Sequence, residues 1–133
     1  MNTEFKMFIT KIKELSEDET VSFSEAVRII QSIIFSATKE SLMDIVSGIG
    51  SIPESIEASS SEEKLYSKAS DIVLAKCFEY LGIPASVLKE RANSADILAR
   101  SSYHGYTFVA DAKTFRLSRT AKNQKDFKIE ALE

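Results

Sequence analysis

Cysteine and histidine are almost absent: the 133 residues contain one of each. A single cysteine forbids an internal disulfide and any metal centre built on several thiolates. The lone His104 sits in a turn-like stretch, where solvent exposure is expected, and it has no partners for a zinc site. No apolar run approaches the ~20 residues that a bilayer-crossing helix requires, so no membrane span is expected. The opening Met1-Asn2-Thr3-Glu4 lacks the basic-then-apolar order of a secretion signal. The expected compartment is therefore cytoplasmic and reducing. Internal repeats and low-complexity tracts are missing as well.

What is there is the balance of a globular protein, with 44% hydrophobic and 28% charged residues. A chain of this length supports one domain that buries roughly two thirds of its unfolded surface. The net charge of −3 hides an asymmetry. Lys113, Arg116, Arg119, Lys122, Lys125 and Lys128 face a single acid, Asp126, so this stretch carries +5 and the rest of the chain −8. An acidic protein of pI near 5.3 does not bind polyanions over its whole surface. One concentrated basic segment suits one anionic partner at one place, although a solvated helix face would look the same.

The first half reads as helices. Phe5, Phe8, Ile12 and Leu15 recur at three- and four-residue steps. Ser22 and Glu25 have the spacing of a capping box and open the apolar run 26–35. A third helix from about Lys39 stops near Gly48 and Gly50, where glycine can take the left-handed cap. After a polar connection over 52–61, Ser60 and Glu63 repeat the capping-box spacing ahead of Leu65, Ala69, Ile72, Val73, Cys77 and Leu81. This long helix is closed by Gly82 and Pro84, and Cys77 within its stripe is expected to be a buried structural thiol. Residues 87–91 suggest a short helix. The β-prone runs 95–100 and 106–110 then read as a hairpin, and the tail from Arg119 reads as helix again. The class is α+β: N-terminal helices, a long helix packed on a small β-sheet, and a C-terminal helix.

The hairpin places acids where chemistry is possible. If its loop spans 102–105, residues whose numbers sum to 207 lie opposite one another, and Asp96 faces Asp111. Directly opposed positions have Cβ atoms ~4.5–5.5 Å apart, close enough for two carboxylates to share a cation. Ile97, Ala99, Phe108 and Ala110 then fall on the other face, toward the long helix. Lys113 projects from the same side as Asp111. Acid, any residue, lysine at a strand end is the kernel of metal-dependent nuclease sites: carboxylates suit Mg²⁺, and lysine can position a water or neutralise charge on phosphate. The bare pattern occurs four times in the chain, and only Asp111-Ala112-Lys113 closes an apolar strand run. An ordinary strand-end Asp followed by a solvated Lys fits the spacing equally well. Glu63, in the first turn of the long helix, is a further candidate, with helix capping as its plainer role.

The segments EKLYSKA at 63–69, DIVLAK at 71–76, VADAK at 109–113 and FRLSRTAKNQKDFK at 115–128 closely resemble the HindIII family of restriction endonucleases. The resemblance runs from about Ser47 to Leu132 and is dense after Ser60. It implies a Mg²⁺-dependent type II enzyme of the PD-(D/E)XK class, acting as a homodimer on double-stranded DNA at the palindrome AAGCTT. By position, it makes Asp96 and Asp111 metal ligands, helped by the Ala112 carbonyl, and has Lys113 serve the water; Glu63 joins these catalytic residues as a candidate from its place on the long helix. The base-reading segment falls on Ala121, Asn123, Lys125 and Asp126, and Arg116, Arg119 and Lys122 become phosphate contacts. Those residue types agree with the chemistry of base edges and phosphates.

The sequence departs from the pattern in carrying Ala95, not proline, before Asp96. Enzymes of this family continue beyond the point matching Glu133, so the chain is expected to be a truncated N-terminal portion. Residues 1–50 then form a helical part, and 51–133 a partial restriction-endonuclease-like core with the basic DNA-contacting segment 113–128. Two other functions compete: a catalytically inactive DNA-binding remnant of such an enzyme, and a helical interaction domain with a small hairpin.

Overall fold

The computed structural model describes residues 3–87 and 97–116. Helix α1 (Thr3–Glu17) buries Phe5, Phe8, Ile9, Ile12 and Leu15, as its three- and four-residue spacing predicts. Helix α2 (Phe23–Phe35) starts at Ser22, whose hydroxyl accepts from the Glu25 amide at 3.1 Å. Helix α3 (Lys39–Ile49) is capped in the same way by Thr38. Helix α4 (Ser61–Tyr80) begins at Ser60, which accepts from the Glu63 amide.

The two helix ends marked by glycine close differently. Gly82 takes φ +81, and the amides of Gly82 and Ile83 reach back to the carbonyls of Glu79 and Phe78 at 2.9 Å each. That is a Schellman closure, which needs the left-handed residue. Gly50 instead caps α3 with right-handed backbone at φ −69, so no left-handed cap is used there. Gly48 is required for room: a Cβ on it would stand 2.7 Å from the Phe5 ring, where α1 and α3 approach.

Helix α4 is the centre of the molecule. It touches α1, α2 and α3 on one side and the sheet on the other. Ala69, Ser70, Asp71, Ile72 and Val73 are consecutive and all buried, because neighbours surround the helix rather than line one stripe. Cys77 is only half-buried, and burial pushes its thiol pKa up, which disfavours the reactive thiolate. Leu81, expected in the apolar stripe, is 74% exposed, since the helix ends there and the chain turns away.

Strands β1 (Ala85–Val87), β2 (Ile97–Ser101) and β3 (Tyr106–Ala110) form an antiparallel sheet in the order β1-β2-β3. The expected short helix thus gives way, at Val87, to a strand that exists by pairing Ala85 with Ala99 and Val87 with Ile97. The hairpin register is the expected one: Ile97 opposes Ala110 and Ser101 opposes Tyr106, with Gly105 at φ +71 in the turn. Ile97, Ala99 and Ser101 are buried while Leu98 and Arg100 face outward, and Phe108 meets Phe78 of α4 edge-on at 5.3 Å. One apolar core extends through the four described helices, from Phe5 to Val73. The C-terminal helix expected from Arg119 onward lies outside the described residues. No described helix is long and apolar enough to cross a membrane.

Candidate functional site

Past β3 the segment 111–116 adds no further strand to the sheet among the described residues, yet it is tied to the helical layer. The Phe115 carbonyl accepts from the Ile52 amide at 2.8 Å and the Phe115 amide donates to the Gly50 carbonyl at 3.3 Å, a parallel bridge to Ser51. The Ser51 carbonyl in turn accepts from the hydroxyl of fully buried Tyr66 on α4 at 2.7 Å. Burial pushes that phenol well above its ordinary pKa, so it stays a neutral donor.

Arg116 completes the anchoring. Its side chain is 6% exposed, and Nε donates to Glu63 Oε2 at 2.8 Å. The remaining nitrogens donate to the carbonyls of Pro53, at 3.4 Å, and Ile56. Glu63 holds a second role at the same time, since its Oε1 accepts from the Ser59 amide at 3.4 Å and its own amide bonds the Ser60 cap. Ser59 is left-handed at φ +57, the strained corner through which the loop enters α4. On the far side of this corner Glu62 is buried and accepts from Lys13 of α1 at 3.2 Å, and Lys13 also donates to the Ser55 carbonyl. The start of α4 is thereby clamped from both flanks.

Between α4 and the anchored segment lies an open cleft of about 370 Å³. Its walls are Glu63, Lys64, Ser67, Lys68 and Asp71 of α4, Phe23 of α2, and Ala112, Lys113 and Thr114. Positions 64, 67, 68 and 71 recur at helical spacing, which is why one face of α4 supplies that wall. Of the expected site residues, the fold therefore brings Glu63, Ala112 and Lys113 together across more than forty residues of sequence. Asp111 is exposed and precedes Ala112, but it does not line the cleft. Asp96, Arg119, Ala121, Lys122, Asn123, Lys125 and Asp126 lie outside the described residues. Arg116, expected to meet phosphate, turns its guanidinium inward to Glu63 and two carbonyls; in this arrangement it positions the segment.

Three charged wall residues were not assigned from the sequence: Lys64, Lys68 and Asp71. The available signal was a polar row at four- and three-residue steps along the helix. Among the described residues, no three His, Cys, Asp or Glu side chains gather closely enough to hold a metal ion.

Fold and cleft together define an α+β protein whose strand-end lysine meets the first turns of a long helix in a charged, solvent-open groove. The sequence model of the HindIII restriction endonuclease family matches residues 6–133, and the chain belongs to that family. It is 46% identical over 128 residues to the type II restriction enzyme HindIII of Haemophilus influenzae (strain ATCC 51907 / DSM 11121 / KW20 / Rd). That similarity covers 96% of this chain and 43% of the relative, so the chain spans less than half the length of the enzyme it matches.

Proposed function

We propose that the chain is part of a type II site-specific deoxyribonuclease that hydrolyses phosphodiester bonds of double-stranded DNA at AAGCTT, with Mg²⁺ as cofactor. The observation that supports this reading best is the cleft that sets Ala112 and Lys113 against Glu63 in a chain of this family. Residues 1–50 would serve as helical support, and 51–133 as a partial PD-(D/E)XK core.

Asp96, Asp111 and the Ala112 carbonyl are hard oxygen donors suited to Mg²⁺, and they are the residues that would hold it. When bound, the ion supplies Lewis-acid chemistry, lowering the pKa of a water and offsetting charge on the phosphate. The Lys113 ammonium, exposed at the cleft, orients the attacking water or neutralises charge that develops on the phosphorus oxygens. Glu63 and Arg116 position this segment through their 2.8 Å pair. Arg119 and Lys122 contact phosphates without reading sequence, whereas Ala121, Asn123, Lys125 and Asp126 read base edges in the major groove. A palindromic target is matched by two-fold symmetry, hence a homodimer acting in the cytoplasm.

A second reading, an inactive DNA-binding remnant, draws on the +5 charge of residues 113–128. One gel separates the two. Linear duplex DNA carrying a single AAGCTT, incubated at low salt with Mg²⁺, is cut at that site and stays whole in EDTA or when the site is scrambled. DNA that survives Mg²⁺ intact but is still retarded by the protein would leave the remnant standing and overturn the nuclease.

A further inference from the structure

Lys64 and Lys68 stand one helical turn apart on α4, and both line the cleft that Lys113 enters from the opposite wall. Like charges at this spacing repel, and an anion lying between them relieves that repulsion. Among the other described lysines, Lys11 pairs with Glu14, Lys13 with Glu62 and Lys76 with Glu79. Lys64 is exposed and forms no ion pair with another described residue, and the same holds for Lys113. Glu63, the nearest acid in sequence, is committed to Arg116 at 2.8 Å. The described charged lining of the groove is Lys64, Lys68 and Lys113 against Glu63 and Asp71, a surplus of one positive charge. The exposed Ser67 hydroxyl lies on the same wall and adds a neutral donor.

We infer that Lys64, Ser67 and Lys68 form a backbone-phosphate contact for DNA, separate from the basic segment 113–128 and placed beside Lys113. The inference rests on the nuclease reading above and assigns that reading a second surface. Lysine suits the role as a compact charge on a flexible stem: it neutralises a phosphodiester without demanding one orientation, and it carries no sequence information. The groove is open to solvent and lies between two elements, so a strand can be laid along it without threading.

The test is anisotropy of a labelled duplex with the 133-residue chain in EDTA, where binding is read without cleavage. Each phosphate contact contributes about 0.9 to the slope of log affinity against log salt, so Lys64→Ala/Lys68→Ala lowers that slope by about 2. At about 0.1 M salt this weakens binding on the order of ten- to a hundredfold. Alanine favours helix at both positions, so α4 is retained. Lys64→Arg/Lys68→Arg restores the slope, and Lys6→Ala/Lys11→Ala, on a different groove of α1, leaves it unchanged. If the parent binds with a salt-dependent slope and the α4 double alanine variant matches it, the phosphate contact is wrong while the nuclease reading stands. An arginine pair as weak as the alanine pair likewise overturns it. A parent that binds no duplex even at low salt removes both the contact and the reading beneath it.

Discussion

In the helical layer Ile12, Ile30, Ile34, Leu42 and Ile72 are fully excluded from water, each burying apolar surface worth roughly 1.5–3 kcal/mol. The segment 111–116 stays in place by other means. Asp111, Lys113 and Phe115 are exposed, and the anchors are two backbone bonds to Gly50 and Ile52 together with the Arg116 clasp. Apolar packing tolerates changes of detail, because it has no direction. A clasp of charged hydrogen bonds is directional, and it costs most when one partner is lost. The part of the molecule that carries the candidate chemistry is thus the part held by a few specific polar contacts.

The largest expected break concerns chemistry alone. Lys113→Ala or Asp111→Asn should lower site-specific cleavage by about 10²- to 10⁴-fold while leaving the thermal unfolding midpoint almost unmoved. Cleavage at the parent rate in both variants would remove the strand end from the mechanism. Next comes the apolar layer, where Ile72→Ala should cost about 4 kcal/mol in denaturant unfolding. A loss below 1 kcal/mol would mean that α4 is not the centre of the core.

Arg116→Ala should cost about 3 kcal/mol, because Glu63 and two carbonyls lose their donor in a mostly buried setting. Its mark is local: amide exchange should quicken at Ile52 and Phe115 more than in α1 or α2. Uniform loss of protection would erase the distinction between the two regions.

Tyr66→Phe is a smaller change, about 1 kcal/mol near neutral pH, since the carbonyls of Ser51 and Ile49 lose a hydroxyl donor. The buried phenol has a pKa raised above its unfolded value. Its contribution is therefore complete below the ordinary phenol pKa of about 10 and drains away as pH rises beyond it. Alkaline titration should destabilise the parent more steeply than the phenylalanine variant; parallel curves would contradict that. The smallest effect belongs to Cys77, whose raised thiol pKa predicts slower labelling by a thiol reagent at pH 8 than a free cysteine shows.

Much of this architecture was legible residue by residue. The Ser22 and Ser60 caps, the α1 face and the 207 register of the hairpin follow from rules that act within a few residues, and each is found in the fold. Strand β1 was not legible, since three residues carry no period and Ala85–Val87 becomes a strand only by pairing with β2. The burial all round α4 was also missed, because a hydrophobic stripe records one neighbour and this helix has several. The inward turn of Arg116 had no local sign. A lone arginine in a basic run looks the same whether it faces phosphate or a carboxylate brought from 53 residues away.

Helix starts, the hairpin and the residue types of the strand end are properties of short stretches of chain, for which backbone preference and side-chain period are sufficient causes. The cleft is of another kind. Lys113 meets Glu63, Lys64 and Lys68 only because Phe115 pairs with the loop after α3 and Arg116 locks onto the start of α4. Such contacts form between segments whose separation is erased by the packing of the core, and no local pattern encodes which charged groups that packing will bring face to face.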